Sequence, residues 1–319
     1  MIFAEKPARP AVAASFDGVS ARAEDLVRLR GDAHRLWLTP RKTVAATQSG
    51  DYRSIFRGRG IDFDSSRTYQ HGDDIRTMDW RVTARTGRAH VKVYQEERER
   101  PVFLAVDCGA TMRFGTRTAF KSVVAARAAA LMAWAASEHG DRVGAVLFGI
   151  EQHLELVPAG GARGVLGVIH GLVKAGAAPT SSAENSLADA IDRLRRLARP
   201  GTLIVLATDF RGWNDAVARE VGALAQRCDL IICFVYDTLE ADPPPPGYYR
   251  VSDGRSVRMV DVGERRFASE LRAAFTKRHN AVRDFCRSRG CPFIVLATDC
   301  DVAKVLAGGL RSDVFGAAR

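Results

Sequence analysis

The sequence predicts an α/β fold built on a doubly wound, mostly parallel sheet, with a β-rich extension on its N-terminal side. Three observations lead there. Short apolar runs recur at 101–106 (PVFLAV), 202–207 (TLIVLA), 230–236 (LIICFVY) and 292–297 (PFIVLA). Amphipathic helical patterns separate them, and strands buried on both faces between helices belong to parallel sheets. Carboxylates follow several of the runs, where strand ends open into loops: Asp107, Asp209 and Asp299.

Taken in order, residues 1–20 carry Pro and Ala without periodicity and read as a disordered terminus. Over 21–38 the spacing of Leu26, Leu29, Leu36 and Leu38 permits a short helix, followed by Pro40. Residues 43–95 mix glycines, arginines and short β-prone pieces, of which 89–94 (AHVKVY) alternates as a strand. After the first apolar strand, 118–139 has a long Ala-rich helical pattern closed by Gly140. A second apolar strand at 143–148 pairs as a hairpin with the alternating 152–157. Helices are expected over 163–174, 186–199 and 215–227, with strands at 202–207 and 230–236. The rhythm breaks over 237–262, where four prolines (243–246) and polar alternation suggest an inserted hairpin. A long helix over 265–289, a last strand at 292–297 and a short helix near Leu310 complete the pattern. The expected division is 1–20, then 21–98 as a helix plus β-rich block, then 99–311 as the α/β domain with its hairpin at 238–262.

Composition narrows the function class. With 319 residues, 46% hydrophobic and 26% charged, the chain can bury a core that needs no disulfide or structural metal. The cysteines Cys108, Cys228, Cys233, Cys286, Cys291 and Cys300 form no CxxC pair and read as free thiols in a reducing compartment. No apolar run approaches the roughly 18 to 20 residues of a membrane span, and the first residues lack a secretory apolar core. A soluble, cytoplasmic protein without a membrane partner is therefore expected. The net charge of +10 is diffuse and lacks an aromatic-interleaved basic motif, which argues against nucleic acid as a partner.

Ligands of an open parallel sheet bind beyond the carboxyl ends of its strands, where the winding reverses. Asp107 and Asp209 are therefore the candidate site, and carboxylates beside hydroxyls suit Mg²⁺. The run DCGATM at 107–112 resembles the DxSxS motif of von Willebrand factor A domains, a Rossmann-type fold, with Asp209 in the place of the second aspartate. The resemblance implies a degenerate metal-ion-dependent adhesion site for Mg²⁺. Its members would be Asp107, Thr111, Asp209 and, at the distal threonine, Asn185, with Ser186 or Thr180 as alternatives. Gly109 replaces the first serine and supplies no side-chain oxygen. The competing reading is that Asp107 and Asp209 cap helices or accept loop amides. Asp299 reads as a helix cap.

Upstream, residues 58–100 contain GRGIDFDSSRTYQHGDDIRTMDWRVTARTGRAHVKVYQEERER. This resembles domain-of-unknown-function family 58, whose block has the form GxGxxFxxxRxYxxGDDxRxIDWxxTAR. Gly58, Gly60, Phe63, Arg67, Tyr69, Gly72, Asp73, Asp74, Arg76, Asp79, Trp80, Thr83, Ala84 and Arg85 match it, and Met78 replaces the isoleucine. Acids and arginines this dense suit bidentate pairs. The block reads as a structural clamp of a β segment onto the α/β domain, with Trp80 as its apolar anchor. A partner-docking surface is the other reading.

No catalytic constellation is evident. The GxG at 58–60 lacks a following Lys-Ser/Thr, no GxSxG is present, and His71 beside Asp73 and Asp74 reads as a surface histidine. The resemblance implies a non-enzymatic adaptor or scaffold, with a MoxR-type AAA+ ATPase or its client bound at the strand-end face. The alternative is a divergent metal-dependent hydrolase in which Asp107 and Asp209 activate water.

Overall fold

The computed structural model describes residues 17–36, 38, 61–70, 75–96, 99–180, 186–245, 247–252, 257–261 and 265–311. The chain forms two compact units, one of Met1–Thr43 with Arg100–Arg319 and one of Val44–Glu99. Helices α1 (Ala23–Arg28) and α2 (Arg30–Ala33) precede the smaller unit, which holds β1 (Ile61–Thr68), α3 (Trp80–Thr86) and β2 (His90–Glu96). The larger unit continues with β3 (Pro101–Asp107), α4 (Lys121–Glu138), β4 (Arg142–Phe148), β5 (Leu154–Ala159), α5 (Gly161–Ala177) and α6 (Ser186–Leu197). Then follow β6 (Leu203–Thr208), α7 (Asp215–Arg227), β7 (Asp229–Tyr236), α8 (Thr238–Ala241), β8 (Tyr248–Ser252), β9 (Val257–Asp261), α9 (Arg265–Arg289), β10 (Phe293–Ala297) and α10 (Val302–Arg311).

The central sheet has the order β10-β7-β6-β3-β4-β5. Strands β10, β7, β6, β3 and β4 are parallel, and β5 runs antiparallel at the edge. From β3 the chain winds outward through β4 and β5, then returns to place β6 on the other flank of β3. The winding reverses between β3 and β6.

Alternation along each strand divides the interior into two cores. Val102, Leu104 and Val106 face α4, α5 and α10, while Phe103 and Ala105 face α6, α7 and α9. From Val123 to Ala136 every residue of α4 except Arg127 is buried. Alanines allow this, because they bring a helix close to a sheet while a second layer covers its outer side.

Part of that second layer comes from the N-terminal helices. Leu26, Leu29, Leu36 and Leu38 join the core around α4, and the Trp134 indole donates to the Leu26 carbonyl at 3.2 Å. The helix near residue 26 therefore belongs to the α/β unit. This corrects the expected grouping of 21–98, and the physical reason is that its leucines find their apolar partners on α4. Between α8 and α9, β8 and β9 pair as an antiparallel ribbon.

At the amino ends of the strands, Arg100 is a largely buried cation. Its guanidinium lies 3.3 Å from Asp141 and 3.5 Å from Asp229, and also donates to the Leu38 carbonyl at 3.1 Å. It ties the starts of β3, β4 and β7 together. Removing one partner of a buried pair leaves the other charge uncompensated, so Arg100→Met should cost about 3 kcal/mol. Urea denaturation checks this, with the midpoint falling and the slope unchanged.

Candidate functional site

The site begins at the switch point of the sheet. Val106 lies opposite Ala207, so Asp107 and Thr208 end adjacent parallel strands side by side. The Thr208 hydroxyl donates to Asp107 Oδ2 at 2.7 Å, and the Gly109 amide donates to Oδ1 at 2.8 Å. Asp209 Oδ1 accepts the Arg211 amide at 3.1 Å. Between them Phe210 has φ 56°, the left-handed region that non-glycine residues rarely adopt. Such a residue costs about 1 kcal/mol or more and persists where its surroundings over-determine it. Here the Phe210 ring is buried and stacks on Phe234 at 5.7 Å.

A lysine fills the centre. Lys121, the first residue of α4, is fully buried, with Nζ 2.8 Å from Asp209 Oδ2 and 2.9 Å from Glu240 Oε1. Arg211 closes the same group from outside, its Nε 3.3 Å from Asp209 Oδ2 and its Nη2 2.7 Å from Glu240 Oε1. Glu240 Oε2 accepts the Asp237 amide at 3.0 Å. Asp237, just after β7, accepts the hydroxyls of Thr116 at 2.7 Å and Thr298 at 2.6 Å. The network thus follows the carboxyl rim from β3 past β6 and β7 to the end of β10. An ammonium in the first turn of a helix opposes the helix dipole, and burying it costs several kcal/mol. Two carboxylates in contact with it offset both penalties.

Lys121 and Arg211 match Asp209 and Glu240 in charge, whereas Asp107 and Asp237 are held by hydroxyl and amide donors. Burial pushes Asp107 up to about 6, and the charge of Asp209 adds to this against the bonds from Thr208 and Gly109 and the attraction of Lys121. Burial alone would raise Asp209 too, but the ammonium of Lys121 and the guanidinium of Arg211 hold it below the ordinary carboxylate range. Asp237 is likewise held low, its burial outweighed by bonds from Thr298, Thr116 and the Leu239 amide.

Asp107 and Asp209 meet at one rim, but the residues around them do not fit a divalent ion. Asp209 Oδ2 faces Lys121 and Arg211, and Asp107 is held by Thr208 and Gly109. Thr111 is exposed in a single turn of 3-10 helix, Ala110–Met112, and Asn185 lies outside the described residues. Among the described residues, no group of three or more His, Cys, Asp or Glu side chains is placed to hold a metal. Each aspartate instead accepts the amide two residues on, the arrangement of the competing loop-amide reading. The glycine at 109 has a steric reason. A Cβ there would stand 3.0 Å from Asp107 Oδ1, and one on Gly149, at φ 80°, would stand 2.6 Å from the Gly109 nitrogen.

Sequence reasoning did not find Lys121, Arg211, Asp237 or Glu240. Asp237 carries the same signature as Asp107 and Asp209, a carboxylate following an apolar strand. Lys121 leaves a fainter signal, a cation opening an Ala-rich helix against the dipole preference. Asp299 is not the cap of α10; Asp301 is, accepting the Lys304 amide at 3.1 Å.

In the smaller unit, β1 and β2 pair antiparallel, and Asp79 caps α3 by accepting the amides of Arg81 and Val82 at 3.2 and 3.1 Å. It also accepts the Ser66 hydroxyl at 2.7 Å. Helix α3 falls in a segment expected to be β-rich, because Asp79 supplies a strong N-cap and Gly87, at φ 70°, a left-handed stop. Trp80, the first residue of α3, is 66% exposed. Arg67, Arg76 and Arg85 are exposed, and the Tyr69 amide donates to the Ala89 carbonyl at 2.8 Å. His71, Asp73 and Asp74 lie outside the described residues.

Comparison with known proteins gives the following. The family model described as Protein of unknown function DUF58 matches residues 65–284. Uncharacterised proteins of Mycobacterium tuberculosis (strain ATCC 25618 / H37Rv) and Mycobacterium bovis (strain ATCC BAA-935 / AF2122/97) are each 30% identical over 295 residues, covering 91% of this chain and 92% of theirs. The crystal structure of conserved hypothetical protein BatB from Bacteroides thetaiotaomicron aligns at 13% identity over 66% of this chain and 97% of that one, with a TM-score of 0.40. A von Willebrand factor type A structure from Catenulispora acidiphila aligns at 12% identity over 70% of this chain and 43% of that one, with a TM-score of 0.35. Structural likeness at this level carries no argument about residues, and the fold stands on the strand order itself. No described helix is long and apolar enough to cross a membrane.

The shift at Asp107 has a measurable consequence. The folded chain holds its proton to about pH 6, against a usual value of 3.8 for an aspartate in the open chain. The protonated form is thus favoured by folding: its contribution is complete below about pH 4 and lost as pH rises through 6. Asp107→Asn removes this dependence and keeps the shape. It should exceed the wild type at pH 8 by on the order of 3 kcal/mol, with the gain gone near pH 4. Denaturant melts at the two pH values check both the sign and the window.

Proposed function

The chain belongs to the family of proteins of unknown function DUF58, and on that premise we propose that it is a non-enzymatic adaptor which binds a protein partner at the carboxyl rim of its sheet. The observation that supports this is the contrast in exposure within the charged network. The side chain of Arg211 is 49% exposed, whereas those of Lys121, Asp209 and Glu240 are 0%, 1% and 5% exposed. The acids that would do chemistry are sealed, and the charge offered to solvent is a guanidinium. Because two carboxylates already hold its Nε and Nη2, this guanidinium is pre-ordered, and a partner loses little rotamer freedom in meeting it. An acidic side chain is the complementary group.

This differs from contact through a metal, in which the partner's carboxylate would complete an ion's shell. The hydrolase alternative needs carboxylates available to hold a cation and activate water, and those of Asp209 and Glu240 already contact Lys121 and Arg211. Following the family resemblance, the partner is a MoxR-type AAA+ ATPase or its client.

The test is direct binding of the purified chain to a MoxR-type ATPase from the same genome, measured by interferometry. Arg211→Gln should weaken binding about tenfold, or roughly 1.4 kcal/mol, while Arg196→Gln on the exposed face of α6 leaves it unchanged. Phosphoester turnover with Mg²⁺ or Mn²⁺ that disappears in Asp209→Ala would replace the adaptor with the hydrolase.

A further inference from the structure

We propose that Lys121 is the resident cation of the strand-end site: its ammonium, tethered to α4, stands where an acidic centre would otherwise hold a divalent ion, and makes the site independent of metal. The proposal does not rest on the adaptor reading and holds whatever the partner.

Its geometry is that of a bridging cation. Nζ sits at nearly equal distances, 2.8 and 2.9 Å, from carboxylates on two separate elements, the turn after β6 and helix α8. These acids, with Asp107 beside them, converge at the switch point where ligands of this architecture bind. Sealed together without a cation, they would repel one another in a medium that screens poorly. Some positive charge has to be present for the rim to close, and here the chain supplies it.

A lysine differs from an ion in three respects. It cannot dissociate, so the rim keeps its shape at any free metal concentration. It carries one charge instead of two, and Arg211 supplies the second. It is a hydrogen-bond donor only, two of its three donors are directed at Asp209 and Glu240, and with no exposure to solvent it is out of a partner's reach. A Lys121 ammonium with no exposure to solvent is therefore a closed centre. The covalent tether also couples the site to the core, because the same helix runs buried beneath the sheet as far as Ala136.

The full-length chain tests this through its response to metal. The wild type should show no saturable Mn²⁺ binding by electron paramagnetic resonance, and the same Tm in EDTA as in millimolar Mg²⁺. Lys121→Ser leaves the acids facing an open space; in EDTA it should lose roughly 10 °C of Tm. It should recover part of that loss in millimolar Mg²⁺ or Mn²⁺, and the recovery should be absent from Lys121→Ser/Asp209→Asn. If Lys121→Ser does not fold, Lys121→Ser/Glu240→Gln, which removes one charge of each sign, carries the same comparison. Mn²⁺ binding by the wild type that is lost in Asp209→Asn would overturn the proposal. So would a folded Lys121→Ser variant whose stability ignores the ions.

Discussion

The contact of the Lys121 ammonium with Asp209 and Glu240 is the constraint around which the carboxyl rim is organised. It joins three parts of the chain that are distant in sequence: the start of α4, the turn after β6, and α8. None of the three groups can be buried alone, since each ion without its partners would cost several kcal/mol. The contact therefore forms when all three elements are in place. A four-residue helix such as α8 has no stability of its own; the Asp237–Glu240 capping box and the bond from Lys121 hold it. The left-handed residue Phe210 directly follows Asp209, and its own ring is buried in the core.

The two ends of the sheet solve one problem differently. Parallel strands bury both faces, so their polar ends must find partners within the chain. At the amino ends Arg100 gathers Asp141 and Asp229 by longer contacts, and its Nε and Nη1 make no hydrogen bond among the described residues. At the carboxyl ends the contacts are shorter, and threonine hydroxyls add to them: Thr208 on Asp107, Thr116 and Thr298 on Asp237. The amino end is an electrostatic brace. The carboxyl end is a hydrogen-bonded network, in which Lys121 and Arg211 pair with Asp209 and Glu240 while hydroxyls and amides hold Asp107 and Asp237.

The division of the molecule into apolar strands and helices was legible in the sequence because burial on both faces writes itself as uninterrupted apolar runs. The convergence of Asp107 and Asp209 was legible too, since a carboxylate after such a run marks a strand end. The third member of that series, Asp237, follows LIICFVY in the same way. The four prolines at 243–246 give the segment that follows the signature of an inserted hairpin, which hides a rim position. Lys121 could not be read from its surroundings, because a lysine at the start of a helix normally projects into water, and nothing local distinguishes one that turns inward. Its partners lie 88 and 119 residues away. The N-terminal leucines were seen as a helix, but their destination on α4 depends on how much of α4 the rest of the fold leaves uncovered.

A site that carries its own cation changes what the rim can do. In an ion-dependent site, occupancy sets the shape, and the open coordination position is the point of contact. Here the shape is set at folding, and the sealed centre has no position to offer. On the adaptor proposal, recognition would pass outward to Arg211, whose guanidinium is braced by Asp209 and Glu240 and is half exposed. Those same acids reduce the net positive charge that an approaching carboxylate meets. On that proposal Arg211 would contribute geometry more than raw attraction, because its charge is already matched by the acids behind it.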